Sequence, residues 1–254
     1  MAVIGRWVGA VRGALGFLTR LPIGTRDGDW HAFRATPAAF PIAGLIAGAL
    51  AAVPLLAGET LAAPTVALGY LLAVYAVMGI HHLDGVADLG DALVVHGDQE
   101  RRREVLKDTT TGVGALLSVS VTVAALALGG LGLAGLPVRA AIGVAVCAEV
   151  GTKLGMAALA CFGNAVTEGM GKQFTDGAAA GSFLAPAVIA LTVVAIGQSA
   201  LGAVAFCGAV AGVGLPWYWA TRQLGGINGD IFGAANEIGR IAGIHLGVIA
   251  WTLS

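Results

Sequence analysis

Apolar residues run through this chain in long blocks rather than in the short alternations of a soluble core. Seven blocks stand out, at 35–57, 61–80, 113–136, 138–162, 178–199, 200–221 and 233–251. Each is about 19–25 residues long, and at about 1.5 Å per residue such a helix crosses the ~30 Å hydrocarbon core of a bilayer. The pattern predicts an all-α, polytopic transmembrane helical bundle of about seven spans, within a range of six to eight. No composition shift, repeat or linker divides residues 1–254 into more than one domain. Ahead of the first block, Ile4, Trp7, Val8, Val11, Leu15 and Leu18 share one helical face flanked by Arg6 and Arg12. That predicts a helix lying in the membrane interface. Arg12 interrupts the stretch too early for a secretory signal peptide.

Four polar segments, 19–34, 81–112, 163–177 and 222–232, are each separated from the next by two blocks. Hairpin topology therefore puts all four on one side of the membrane. Eleven of the fourteen Lys and Arg residues lie in those segments or in the N-terminal helix, Arg139 lies opposite, and Lys153 and Arg240 fall inside spans. The positive-inside rule makes the polar face cytoplasmic and the localisation the cell membrane. Trp217, Tyr218 and Trp219, just before Arg222, suit an aromatic belt at that interface.

Composition agrees with the pattern. The chain is 57% apolar and 11% charged, too little charge to cover a soluble domain of this size. With a net charge of −1, a lipid bilayer is the expected partner and nucleic acid is not. Forty glycines suit close helix approach in a membrane, and Gly44/Gly48, Gly151/Gly155, Gly208/Gly212 and Gly239/Gly243/Gly247 have small-xxx-small spacing. Cys147, Cys161 and Cys207 lack metal-ligand spacing and read as packing residues.

Candidate chemistry comes from the acidic residues, twelve of fifteen of which share the polar face. Carboxylates contribute little to membrane orientation, so topology does not account for them. In the segment Gly79–Asp91, a helix continuing the second block would put His81, Asp84, Asp88 and Asp91 on one stripe, at i, i+3, i+7 and i+10. Stacked carboxylates repel, more strongly beside lipid, and the nearest basic residue after them is Arg101. A divalent cation would offset them. Oxygen ligands without cysteine favour Mg²⁺ or Mn²⁺ over zinc, and Mg²⁺ commonly joins a few carboxylates to substrate phosphates. The plain alternative is a solvated acidic loop. His81 and His82 are candidates for a ligand or acid–base role. Arg101–Arg103 read as topological anchors, whereas Lys107 and Asp108, directly before a span, read as substrate groups. The glycine-rich segments Glu168–Lys172 and Gly225–Ala234 add Glu168, Lys172 and Asp230. Glu149 and Lys153 are i,i+4 and read as a neutralising pair; Asn236, Glu237 and Arg240 read equally as a local pair or as the completion of the site.

Together these stretches resemble the cobalamin synthase family, adenosylcobinamide-GDP ribazoletransferase or cobalamin-5′-phosphate synthase. The matching pieces are Phe17-Leu-Thr-Arg-Leu-Pro22, Phe40-Pro-x-x-Gly44, His82-Leu-Asp-Gly-x-Ala-Asp88, Lys107-Asp108, Glu168-Gly-x-Gly171, and Gly225-Gly-x-x-Gly-Asp230 with Gly233-Ala234 and Glu237. They occur in the family's order from end to end. The chain departs from the family at Thr110, where a basic residue is usual, and at Val166 and Thr167, where an arginine is frequent. The resemblance implies that adenosylcobinamide-GDP and α-ribazole, or its 5′-phosphate, give adenosylcobalamin or its 5′-phosphate plus GMP, with Mg²⁺. It implies metal ligands at Asp84, Asp88 and Asp91, catalysis by Asp84, Asp88 and His82, and substrate contacts from Lys107, Asp108, Glu168, Lys172, Asp230 and Glu237. Two rival readings are a CDP-alcohol phosphotransferase, whose aspartate pattern this chain does not meet, and a transporter with Glu149, Lys153, Glu237 and Arg240 at midplane.

Overall fold

The computed structural model describes residues 2–108 and 110–254 and is helical throughout, apart from one isolated β-bridge. Helix α1 (Ala2–Leu18) buries Ala10, Ala14, Leu15 and Leu18 against the protein and leaves Ile4 and Val8 exposed. That division suits a helix seated between protein and lipid. Short α2 (Asp29–Arg34) packs on it, with Asp29 accepting from both Arg12 and the Arg26 N–H.

Five helical stretches are long and apolar enough to cross a membrane. They are α3 (Ala39–Ala51) with its 3₁₀ extension to Ala57, α7 (Val113–Ala134), α8 (Val138–Phe162), α10 (Leu184–Gly197) with its preceding 3₁₀ turn, and α11 (Ala200–Gln223). The expected second span is where the structure differs. Helix α4 (Ala63–Met78) stops at Gly79, and α5 (His81–Val94) departs at 96° to it. Counted as one broken span, the pair raises the number to six. The break has a local cause, because Gly79 has φ 78°, where L side chains rarely sit. The acidic stripe is therefore on a separate helix lying at the polar end of the bundle, not on an extension of α4. The seventh apolar block forms α12 (Gly229–Thr252), equally long but carrying Asp230, Glu237 and Arg240, which keep it out of that count. Helices α6 (Gln99–Val105) and α9 (Met170–Gly177) are short and belong to the polar segments.

Helix α8 is the axis, with 89% of its most apolar window buried against α3, α11 and α12. The small-xxx-small glycines are where these helices cross. A Cβ on Gly48 would stand 2.9 Å from the Glu149 Cβ, and one on Gly243 2.7 Å from the Ala205 carbonyl. Such approach seals in a five-residue polar network. Arg240 donates to Glu149 and, at 2.7 Å, to Glu237; Lys153 donates to Glu149 and to Asn236; Asn236 donates to Glu237 at 3.0 Å. All five are at most 1% exposed. Two acids against two bases leave the network neutral, the condition under which charge is tolerated inside a membrane protein. Glu237 thus belongs to the interior. Where a substrate contact was expected, it lies two turns beyond Asp230 and faces Arg240 and Asn236.

At one end of the bundle the four polar segments come together. Trp30 donates to the Gln173 side chain at 2.9 Å, joining the first segment to the third. The bridge between Ala165 and Ile227, with Val166 N–H to the Ile227 carbonyl at 3.0 Å, joins the third to the fourth. Arg103 donates to the Leu224 carbonyl at 2.8 Å, joining the second to the fourth.

Removing Arg240 would leave Glu149 and Glu237 facing each other without their shared cation. Arg240→Ala is expected to destabilise the detergent-solubilised protein by about 3–5 kcal/mol, the usual result of breaking a buried pair from one side. Thermal unfolding at constant pH measures it, and a wild-type melting curve would contradict this account of the core.

Candidate active site

Helix α5 begins beside α12 because Gly85 has no side chain. A Cβ there would run into the Asp230 carbonyl, and one on Gly233 would stand 3.1 Å from the His82 carbonyl. The contact sets Asp84 and Asp88 on α5 against Asp230 in the first turn of α12. Asn228 fixes that turn twice, accepting from the Ile231 N–H at 3.2 Å and donating to Asp230 Oδ2 at 2.7 Å. Burial, then the Asp230 and Asp84 carboxylates, push Asp88 up to about 7.

Two cavities meet at this turn. The first, about 390 Å³, has His81, His82, Asp84 and Asp230 on one side and Phe17, Met156, Phe174 and Phe232 on the other. Its aromatic wall is continuous, with ring centroids of Phe17 and Phe174 5.6 Å apart and of Phe174 and Phe232 5.3 Å apart. The second, about 290 Å³, is lined by Arg103, Lys107, Thr167, Glu168, Asn228 and Asp230 among others. Met170, Gly229 and Asp230 border both. Chain packing at the junction is tight, since a Cβ on Gly171 would approach the Asn228 carbonyl carbon to 2.7 Å.

His82 is 4% exposed, and its Nδ1 has no hydrogen-bond partner among the described residues. Burial, with the charges of Lys153 and His81, holds the ring well below the usual imidazole range, so it is neutral at neutral pH. Its neighbour His81, centroid to centroid 4.2 Å away, is also lowered, by burial above all.

The sequence-derived site is thus partly regrouped. Asp84 and His82 border the first cavity, Lys107 and Glu168 the second, and Asp230 both. Asp91 does not join the other carboxylates. Its two oxygens accept the N–H groups of Gly112 at 2.8 Å and Ala115 at 2.9 Å, so it caps α7 and ties it to α5. Asp230 takes the place in the acidic group expected for Asp91, which the stripe on a single helix could not reveal. Asp108 accepts from the Thr110 N–H at 3.0 Å in an exposed turn and borders neither cavity. Lys172 is paired with Glu168 on the rim. Missed from the sequence were the aromatic wall, which looks like ordinary core, and Arg103, one of three adjacent arginines.

Among the described residues, no three His, Cys, Asp or Glu side chains gather closely enough to hold a metal ion unaided. The donor chemistry nevertheless fits a hard divalent cation. Asp84, Asp88 and Asp230 offer carboxylate oxygen, and Asp88 is raised by burial and then by its acidic neighbours, which a cation would offset. Mg²⁺ usually takes only one or two protein carboxylates and fills its shell with water and phosphate.

The model for cobalamin-5-phosphate synthase matches residues 10–248. The chain belongs to the cobalamin-5-phosphate synthase family. Proteins named adenosylcobinamide-GDP ribazoletransferase are similar along nearly its whole length. One from Halorubrum lacusprofundi is 45% identical over 96% of this chain and 98% of its own, and one from Halobacterium salinarum is 55% identical over 74% and 96%. A more distant one, from Thermococcus onnurineus, is 34% identical over 93% of this chain and all of its own. No solved structure matches. Family membership sets aside the CDP-alcohol phosphotransferase and transporter readings.

Asp88 also makes stability depend on pH. Its folded value is raised above its ordinary 3.8, so it stabilises the fold fully below about 4, and that stability is lost as pH rises through about 7. Without divalent cations, the melting temperature of wild type should fall relative to that of Asp88→Asn as pH rises from 5 to 8. The lowered His81 and His82 work oppositely within this window but are common to both proteins, so the difference between the two melting curves reports Asp88. An equal slope in the Asn variant would remove Asp88 as its source.

Proposed function

We propose that this protein transfers the phosphocobinamide group of adenosylcobinamide-GDP to α-ribazole or its 5′-phosphate, releasing GMP, at the cytoplasmic face of the membrane and with Mg²⁺. Family membership and the names of its relatives supply the substrates. The observation that carries the reading is the junction of two unlike cavities at Asp230, beside Asp84 and Asp88. A phosphotransferase needs an acceptor and a leaving group on opposite sides of one phosphorus atom, with charge control at the centre.

In this reading a ribose hydroxyl oxygen attacks the phosphorus bonded to cobinamide. A new P–O bond forms, the P–O bond to the GMP phosphate breaks, and GMP leaves with the electron pair. In that reading His82, neutral and among the residues lining the first cavity, accepts the hydroxyl proton. One or two of Asp84, Asp88 and Asp230 would hold Mg²⁺, which would supply neutralisation of the diphosphate and leaving phosphate. Lys107, exposed on the second cavity, is placed for the anionic donor.

Purified protein should release GMP from adenosylcobinamide-GDP only when α-ribazole or its phosphate is present, and chelation should stop it. Asp84→Asn and Asp88→Asn should each lower kcat/KM by on the order of 10²–10³, the range seen when electrostatic stabilisation of a transition state is removed. CMP release from CDP-diacylglycerol, with no reaction of the corrinoid, would overturn the assignment. The cytoplasmic orientation has its own test. In a Cys207→Ser background, single cysteines replacing exposed Asp98, Asp176 or Gln223 should react with an impermeant thiol reagent only from the cytoplasmic side. Labelling of any of them from outside would reverse it.

A further inference from the structure

The three adjacent arginines of α6, which share one expected anchoring role, are given three different tasks by the fold. Arg101 pairs with Glu104 at 2.9 Å in solvent. Arg102 donates to the Ala92 carbonyl at 2.6 Å and lies over the Trp219 ring, tying α6 to α5 and α11. Arg103 borders the second cavity. Its Nε, at 2.8 Å, and its Nη2 both donate to the carbonyl of Leu224, the residue that follows α11. Gly225 permits the approach, since its φ is 78° and a Cβ on it would stand 2.8 Å from Arg103 Nη2. One edge of the guanidinium is thereby used. Nη1, with two N–H groups, is neither paired nor buried among the described residues, so it is open to a ligand.

The charges around this cavity do not cancel. Lys107 lies one turn beyond Arg103, its backbone N–H on the Glu104 carbonyl at 3.0 Å, and borders the same cavity. Glu168 is paired with Lys172, and Asp230 accepts from Asn228. Neither Arg103 nor Lys107 has a carboxylate within salt-bridge distance among the described residues. Val166, Thr167 and Leu224, also in the lining, carry no charge. Two unpaired cations one turn apart, one of them held by a backbone carbonyl, suit a phosphate: the guanidinium supplies directed N–H groups and the ammonium a point charge. At about 290 Å³ the cavity stands at the small end of the usual range for ligand sites, roughly 300–1,000 Å³. That suits a nucleotide's phosphate and sugar and excludes a corrin.

We propose that Arg103 holds the phosphate of the leaving nucleotide in the second cavity, with Lys107 beside it. Which nucleotide fills the site rests on the corrinoid transfer proposed above; the phosphate contact does not. In that transfer the P–O bond to the GMP phosphate breaks and its electron pair stays on an oxygen of that phosphate, whose added charge Arg103 offsets. GMP therefore stays in this cavity after transfer, where it competes with the donor and not with the acceptor.

The test uses the whole detergent-solubilised protein and two ligands without a corrin, GMP and guanosine, bound in calorimetry, together with assays of GMP release. Wild type should bind GMP more tightly than guanosine. Arg103→Ala should shrink that preference by roughly 10- to 100-fold, the contribution of a charge-assisted hydrogen bond. It should raise the donor KM and the inhibition constant of GMP together and leave the acceptor KM unchanged. Arg103→Gln keeps a donor for the Leu224 carbonyl without the charge and should lose the preference as Ala does. Arg103→Lys keeps the charge and should recover part of it. Full recovery in the Gln variant, an equal rise in donor and acceptor KM, or an unchanged preference in the Ala variant would reduce Arg103 to a tie between α6 and α11 and overturn the proposal. Equal binding of GMP and guanosine by wild type would overturn it too. Wild type that binds GMP through Arg103 yet releases none from adenosylcobinamide-GDP would instead sink the proposed reaction and leave the phosphate site standing.

Discussion

The structure depends on neutralising charge inside the bundle. Helices α8 and α12 each bring an acid and a base into a region where water does not compensate them, and they are held in one register by Arg240 between Glu149 and Glu237 and by Lys153 between Glu149 and Asn236. An error of one residue would separate these partners and strand charges in low dielectric, at a cost of several kcal/mol each. Register has a consequence at the other end of α12. Asp230 is seven residues from Glu237, two turns along the same helix, so fixing the network also fixes the height of Asp230 beside α5. The charges in the interior thereby position the carboxylates at the surface, although they touch no ligand cavity themselves.

The second constraint is the corner at Gly79. A straight continuation of α4 would carry the acidic stripe up and away from the bundle, with no neighbour for its carboxylates. Turning by 96° lays α5 across the end of α12 and against α7. Gly85 permits the first contact, and Asp91 secures the second by capping α7. One stripe of acids is thus divided between two tasks. Asp84 lines the first cavity, with Asp88 one turn further along the helix, and Asp91 holds the helix that carries them.

What was legible in the sequence follows from these two constraints. Spans, their packing glycines and the gathering of polar segments at one end could be read because hydropathy, small-residue spacing and loop parity are properties of the chain alone. Spacing along α5 correctly placed Asp84 and Asp88 on a shared face. It could not show that Asp91 meets a helix terminus, because the partner N–H groups lie 21 and 24 residues later. Nor could it decide Glu237, whose role is set by Glu149 and Arg240 across the bundle. The corner itself had a signal in Gly79, but a glycine in a chain with forty of them does not announce a positive φ. The aromatic wall was invisible for a related reason: Phe17, Phe174 and Phe232 come from three distant segments, each looking like ordinary membrane-protein core.

Electrostatics also orders the events expected at such a site. Asp84, Asp88 and Asp230 present negative charge to a donor whose diphosphate is negative too, so each repels the other in the absence of a counter-ion. Lys107 and Arg103 lie on the second cavity and offset only that side. In the proposed reaction a divalent cation held by these carboxylates would neutralise the diphosphate, and binding of metal and donor would then favour each other by the same factor in each direction. The acceptor's reacting hydroxyl is neutral, so in that reaction it would enter the first cavity without repulsion from Asp84 and Asp230. Charge would therefore sort the two substrates of the proposed reaction: the cationic second cavity would suit the donor, and the first, with its aromatic wall and neutral His82, the acceptor.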